Sequence, residues 1–133
     1  MHLDLSVQTK TREEFVNITE QLNDLLAENG AKDGCCTVFV SHTTAALTVN
    51  EDADPDVMDD LLKFLQQMVP LKNGYRHREG NSDAHIKASL LGCSLHLIIK
   101  AGHLDLGTWQ GVFLWEHRTQ PHHRQLILTL YGE

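Results

Sequence analysis

The stretch from Ser94 to Tyr131 constrains the fold most. It holds three short apolar segments, SLHLIIK, GVFLWEH and RQLILTL, rich in β-branched and aromatic residues and separated by gaps too short for a helical crossover. Strands linked in this way pair antiparallel. Upstream, Leu3, Leu5 and Val7 alternate with polar residues, and CCTVFVS and ALTVN read as two further strands on either side of HTTA. Helical spacing occurs three times. Thr11 and Glu14 have capping-box spacing before Phe15, Ile18, Leu22, Leu25 and Leu26, with Gly30 as the exit. Asp54 and Pro55 open a second helix carrying Met58, Leu61, Leu62 and Leu65 as far as Pro70. A third starts near Asp83, carries Ile86, Leu90 and Leu91, and ends at Gly92. Strands outnumber helices, which predicts a largely antiparallel α+β fold with about three helices.

At 133 residues, 41% of them hydrophobic and with no repeat or linker-like tract, residues 1–133 are expected to form one compact domain. The 11 basic and 18 acidic residues leave a net charge of -7, the wrong sign for a phosphate backbone, so no nucleic-acid partner is expected. A small anion held by backbone amides is compatible with that charge. The opening MHLDLSVQTK lacks a basic stretch and apolar core, and no apolar run is long enough for a membrane span, so a cytoplasmic location is expected. Cys35, Cys36 and Cys93 are odd in number and lack paired-ligand spacing; they read as reduced core thiols.

The acidic run NEDADPDVMDD places Asp52, Asp54 and Asp56 at alternate positions, but a calcium loop needs Gly and Glu where the chain has Val57 and Lys63. Asp54 and Asp56 suit a helix start, where the dipole favours negative charge. Asn50 and Glu51 before them close a strand, and are either a solvated strand end or part of a site. Nine histidines are many for this length, and His42, His77 and His85 each lie at an element boundary beside small polar residues: SHTTA, RHREGNSD and SDAHIKAS. One such histidine is most often a structural or surface residue; three in like settings read equally as a shared site or as separate structural and surface residues. None forms a helical HxxxH or HExxH pair. Gly107 and Gly111 bracket Thr108, Trp109 and Gln110, a set that suits a planar heteroaromatic ligand or, equally, a tight turn with a core tryptophan. Ser41, Thr43 and Thr44 offer hydroxyls to phosphate oxygens or close a turn. EHRTQPHHR reads as a polar hairpin turn, with Arg118 and Arg124 able to face an anion.

HTTAALTVNEDADP, AHIKASLLG, GTWQG and the final EHR…R…LTLYGE occur in the same order in the YjbQ-like family, which this chain closely resembles over nearly all of its length after the first helix. Members of that family are described as secondary thiamine-phosphate synthases. The resemblance implies a compact α+β domain with a β-sandwich-like core, assembled as a homotrimer with pockets near subunit contacts. It also implies a weak activity that joins an aminopyrimidine diphosphate to a thiazole phosphate, forming thiamine phosphate and releasing diphosphate. By position it carries the motif histidines to His42 and His85, the carboxylates to Glu51 and Asp60, and the glycine-bracketed stretch to Gly107, Thr108, Trp109 and Gln110. His77 matches less closely. His122 and His123 inherit nothing, since their turn lacks the family's glycine.

The leading expectation is therefore an enzyme for a small phosphorylated heteroaromatic substrate. His42, Glu51 and His85 are its candidate catalytic groups; Thr43, Thr44, Asn50, Asp60, Ser89 and the residues from Gly107 to Gln110 are its candidate substrate contacts. His85 is placed in the first turn of the third helix beside free amides, with Ser89 one turn later on the same face. Diphosphate departure calls for a divalent cation, with Glu51 and Asp60 as oxygen donors to magnesium, or with His42, His77 and His85 around zinc. A metal-dependent hydrolase centred on those histidines and a non-enzymatic binding module are the alternatives.

Overall fold

The computed structural model describes residues 1–10 and 13–132, so the cap expected at Thr11 lies outside the described residues. Along the chain run β1 (His2–Gln8), β2 (Glu14–Asn17), α1 (Thr19–Glu28), β3 (Gly34–Val40), β4 (Ala45–Glu51), α2 (Pro55–Met68), α3 (Ser82–Leu91), β5 (Ser94–Lys100), β6 (His103–Leu104), β7 (Gln110–Glu116) and β8 (His123–Gly132). They form two sheets, ordered β1-β8-β3-β5-β6 and β2-β7-β4, and every strand pairing is antiparallel. Inward residues of both sheets meet in one core: Val7, Cys36, Val38, Leu97, Ile99, Leu126 and Leu128 from the larger sheet, Leu47, Val112 and Leu114 from the smaller. Leu22 and Leu26 of α1 complete it. The expected α+β sandwich-like domain with three helices is what the chain adopts.

A second apolar cluster lies between α2 and the smaller sheet, where Leu65 and Val69 pack with Trp115, Phe15 and Leu91. The α3 helix rests on β4. Its burial runs against its sequence pattern: Asp83, Ala84, Lys87 and Ala88 face inward, whereas Ile86 and Leu90 are exposed. Lys87 is fully buried because its ammonium donates to Glu13 Oε1 at 2.9 Å and to Asp83 Oδ2 at 3.2 Å.

Three expectations need correcting. The first helix begins at Thr19, not near Thr11, because Phe15 and Val16 are taken into a strand opposite Trp115 and Leu114. Asn17 Oδ1, accepting from the Thr19 amide and hydroxyl, supplies the turn into the helix. Gly30, with φ of +68°, ends it as expected. The segment after Glu116 is not a hairpin: β7 belongs to the smaller sheet and β8 to the larger, so residues 117–122 cross between layers. All three cysteines are free, but Cys36 alone is buried, with its thiol pushed up to about 11 by burial; Cys35 is half-buried and Cys93 exposed. Gly34 and Gly132 face each other across β3 and β8, and a Cβ on Gly34 would fall 2.1 Å from the Tyr131 carbonyl oxygen, closer than any side chain permits.

Candidate functional site

His42 stands where β3 leaves its sheet. The register with β8 ends at Val40 opposite Leu126; beyond it the Ser41 amide donates to the Gln125 carbonyl at 3.2 Å, and the Gln125 amide donates to His42 Nε2 at 2.8 Å. Burial and the nearby Arg124 guanidinium hold the His42 pKa below that of a free imidazole, with Glu116 opposing in part. Because α3 lies across β4, it brings His85, Ala88 and Ser89 opposite His42, Thr43 and Ala45. Together with Gly92 and Cys93 they line a cleft of about 330 Å³. His85 also borders a second hollow with Tyr75, Arg76, His77, Ser82 and Ile86, and the His77 ring meets it edge-on at 5.6 Å between centroids. The three histidines singled out in the sequence thus gather around His85. The His85 amide itself bonds the Asn81 carbonyl at 3.3 Å. The Ser89 hydroxyl donates to the His85 carbonyl at 2.9 Å, which leaves its oxygen as an acceptor.

The remaining candidates are placed elsewhere. Thr44 is buried, and its hydroxyl accepts from Arg124 Nη2 at 2.9 Å. Asn50 Oδ1 accepts from the Glu51 amide, and Glu51 Oε2 from the Ala53 amide. Glu51 lines a different cleft, of about 380 Å³, with Glu13, Asp52, Asp54 and Asp59 at its rim and Phe15, Met58 and Phe113 among its apolar walls. Among the described residues, none borders both this cleft and that of His42 and His85. Asp60 is exposed on α2. Gln110 Oε1 accepts from the Gly107 amide at 2.8 Å, while Thr108 and Trp109 are exposed. Trp109 is 64% accessible, so the core-tryptophan alternative is overturned. Its carbonyl accepts from the Asp52 backbone amide at 2.8 Å, and Gly111 packs beneath the Asp52 carboxylate, so the glycine-bracketed turn belongs to the acidic side of the molecule. Among the described residues, no group of three or more His, Cys, Asp or Glu side chains is placed to hold a metal ion.

Behind the cleft lies a buried polar network that sequence reading missed. Glu116 is fully buried and accepts from Arg124 Nε at 2.9 Å, from Arg124 Nη2, from the Thr9 hydroxyl at 2.9 Å and from the Arg118 amide at 3.0 Å. A buried pair holds only with such full satisfaction. Arg124 is thus not free to face an anion, and Arg118 pairs with Glu79 at 2.9 Å. The signal was present: Arg124 shares the inward parity of Leu126 and Leu128, and Glu116 closes the continuous apolar run of β7. The network fixes Thr44 and Gln125, the neighbours of the cleft-forming Thr43 and the bonding partner of His42. Next to it His117 is buried with neither ring nitrogen bonded among the described residues. Burial, then Lys87 and Arg124, push its pKa down to about 3, so it is neutral.

A family model described as UPF0047 protein YjbQ-like matches residues 3–133. The UPF0047 protein of Methanocaldococcus jannaschii is 45% identical over 96% of this chain and 91% of its own length. YjbQ of Escherichia coli O157:H7 is 39% identical over 97% and 96%. Among solved structures, an uncharacterised yjbq/upf0047 protein from Clostridium acetobutylicum superposes with a TM-score of 0.91 at 43% identity, covering 97% of this chain and 99% of its own. A YbjQ-like protein of unknown function from Sulfolobus solfataricus gives 0.92 at 31% identity, covering 100% and 97%.

Proposed function

The chain belongs to the YjbQ-like UPF0047 family, and we propose that the cleft between His42 and His85 is where it binds and transforms a small phosphorylated heteroaromatic substrate. The observation that carries this is the meeting of two imidazoles 43 positions apart in one cleft, with Thr43 and Ser89 as polar companions. The cleft offers hydroxyls, a cysteine and two imidazoles, that of His42 with its proton affinity lowered by burial and Arg124, but no carboxylate. An anionic oxygen meets no like charge from its walls, unlike in the acid-rimmed cleft of Glu51. His85, whose ring makes no hydrogen bond among the described residues, is the group free to take or deliver a proton. The finer reaction follows the resemblance: transfer of the aminopyrimidine from its diphosphate to the thiazole phosphate, giving thiamine phosphate and diphosphate.

Glu51 and Asp60 do not line this cleft, so they do not fit as magnesium donors there. Trp109 lines neither of the two hollows that His85 borders within one chain, so ring stacking by Trp109 is assigned to an assembly of chains, for which the homotrimer is proposed. The test is turnover of the two thiamine precursors beside simple phosphate esters, each with and without chelator. Thiamine phosphate formation that is lost in His85→Gln is expected. Hydrolysis of esters alone, stopped by chelator, would favour the metal-dependent hydrolase, and saturable binding without turnover a binding module.

A further inference from the structure

We infer that His42 is a fixed hydrogen-bond donor in this cleft, presenting Nδ1–H to an anionic or carbonyl oxygen of the ligand, and that it is neither the general base nor a metal ligand. The inference rests on the cleft being the ligand site, and it divides roles that the sequence left shared between His42 and His85.

The bond from the Gln125 amide decides the tautomer. A backbone N–H only donates, so His42 Nε2, 2.8 Å away, must carry a lone pair. A neutral imidazole has one ring proton, which then sits on Nδ1. Flipping the ring would set a carbon against the amide and leave a strand N–H without its acceptor. The amide cannot turn away. Gln125 lies inside β8, opposite Ser6 of β1, and its carbonyl accepts from both the amide (3.2 Å) and the hydroxyl (3.3 Å) of Ser41. The imidazole therefore takes the place of a backbone carbonyl at the point where β3 departs. Protonation would set N–H against N–H, and burial and Arg124 already disfavour the cation.

Two consequences follow for the chemistry. Nδ1 has no partner among the described residues and is not an enclosed orphan, so its proton is open to a ligand oxygen. Coordination of a metal needs a lone pair, and the lone pair of neutral His42 is engaged; ligation would strip Gln125 of its acceptor. Proton transfer thus falls to His85.

Imidazole nitrogen resonances of the uniformly labelled protein, with His42 assigned through a His42→Gln sample, read the tautomer directly. An unprotonated Nε2 and a protonated Nδ1 at neutral pH are expected, unchanged by zinc; an Nε2–H tautomer, an imidazolium or a zinc-induced shift at His42 would overturn the inference. Titration with inorganic diphosphate reads the role. His42→Asn keeps a donor near the Nδ1 position and is expected to bind close to wild type, whereas His42→Gln replaces the Nε2 acceptor but removes the donor and should bind about tenfold to a hundredfold more weakly, the worth of one bond to a charged group. Melting curves establish that both variants fold. Equal affinity in His42→Gln and wild type would refute the donor role. If wild type binds neither diphosphate nor the precursors while the tautomer is as described, the proposed function fails and the donor assignment stands.

Discussion

Histidine 117 is the residue whose energetics depend most directly on pH. Its folded pKa of about 3 lies below the ordinary 6.5, so between these values the unfolded chain binds a proton that the folded chain refuses. The stability it contributes is complete above about pH 6.5 and is lost as pH falls toward 3, at up to about 1.4 kcal/mol per pH unit. Urea unfolding at pH 7, 5.5 and 4.5 should show wild type losing ground to His117→Gln on acidification; parallel curves would mean the imidazole is charged or solvated after all. Trp109 is the contrasting case. At 64% exposure its removal should change stability by under about 1 kcal/mol. If it stacks on a heteroaromatic ring in the assembled protein, Trp109→Ala should weaken substrate binding roughly tenfold to a hundredfold and Trp109→Phe should recover most of the loss. Equal affinities measured by calorimetry would leave it a surface residue.

Among the elements, α3 carries His85 and Ser89 of the candidate site and is the least conventional. Its outward Ile86 and Leu90 and inward Asp83 and Lys87 reverse the usual assignment, and the Lys87 ion pairs fasten it to the segment before β2. Lys87→Met would leave Asp83 buried without its cation, and a loss of about 3–5 kcal/mol is expected in chemical denaturation. A loss near zero would show that Asp83 takes up a proton or water instead. This helix also shows why some structure was legible in sequence and some was not. Its start, length and glycine exit are local facts of spacing, as are the start of α2 and its end before Pro70; Asp54 caps α2 as expected by accepting from the Asp56 amide at 3.0 Å. Which face turns inward depends on partners distant in sequence. So did the fate of Phe15: its helical spacing with Ile18 and Leu22 was real, and pairing with Trp115 overrode it.

In the whole molecule, the candidate residues divide between two clefts. His42, His85 and Ser89 gather in one, while Glu51 lies in the other and the Trp109 turn on the same acidic side. Boundary settings in the sequence were enough to associate the histidines, but no spacing rule could tell which strand ends face which cleft. If both groups serve one substrate, they do so across chains. Sedimentation should then give three times the chain mass, and oligomers mixed from His85→Gln and Trp109→Ala chains should regain part of the binding that each lacks. A monomer with full activity would refute the composite site. The sheet order also bears on how the protein is made. His2 opposes Thr129 across 127 positions, and β8 is the strand that joins β1 to β3. On the ribosome, β3 and β5 can pair as soon as both have emerged, yet the other edge of β3, with Val38 and Val40, stays open until residues 123–132 are synthesised. From the emergence of β3 until then the nascent chain therefore displays a sticky, unpaired border, a surface for a holdase to shield, and closing so long a loop should set the pace of refolding from denaturant.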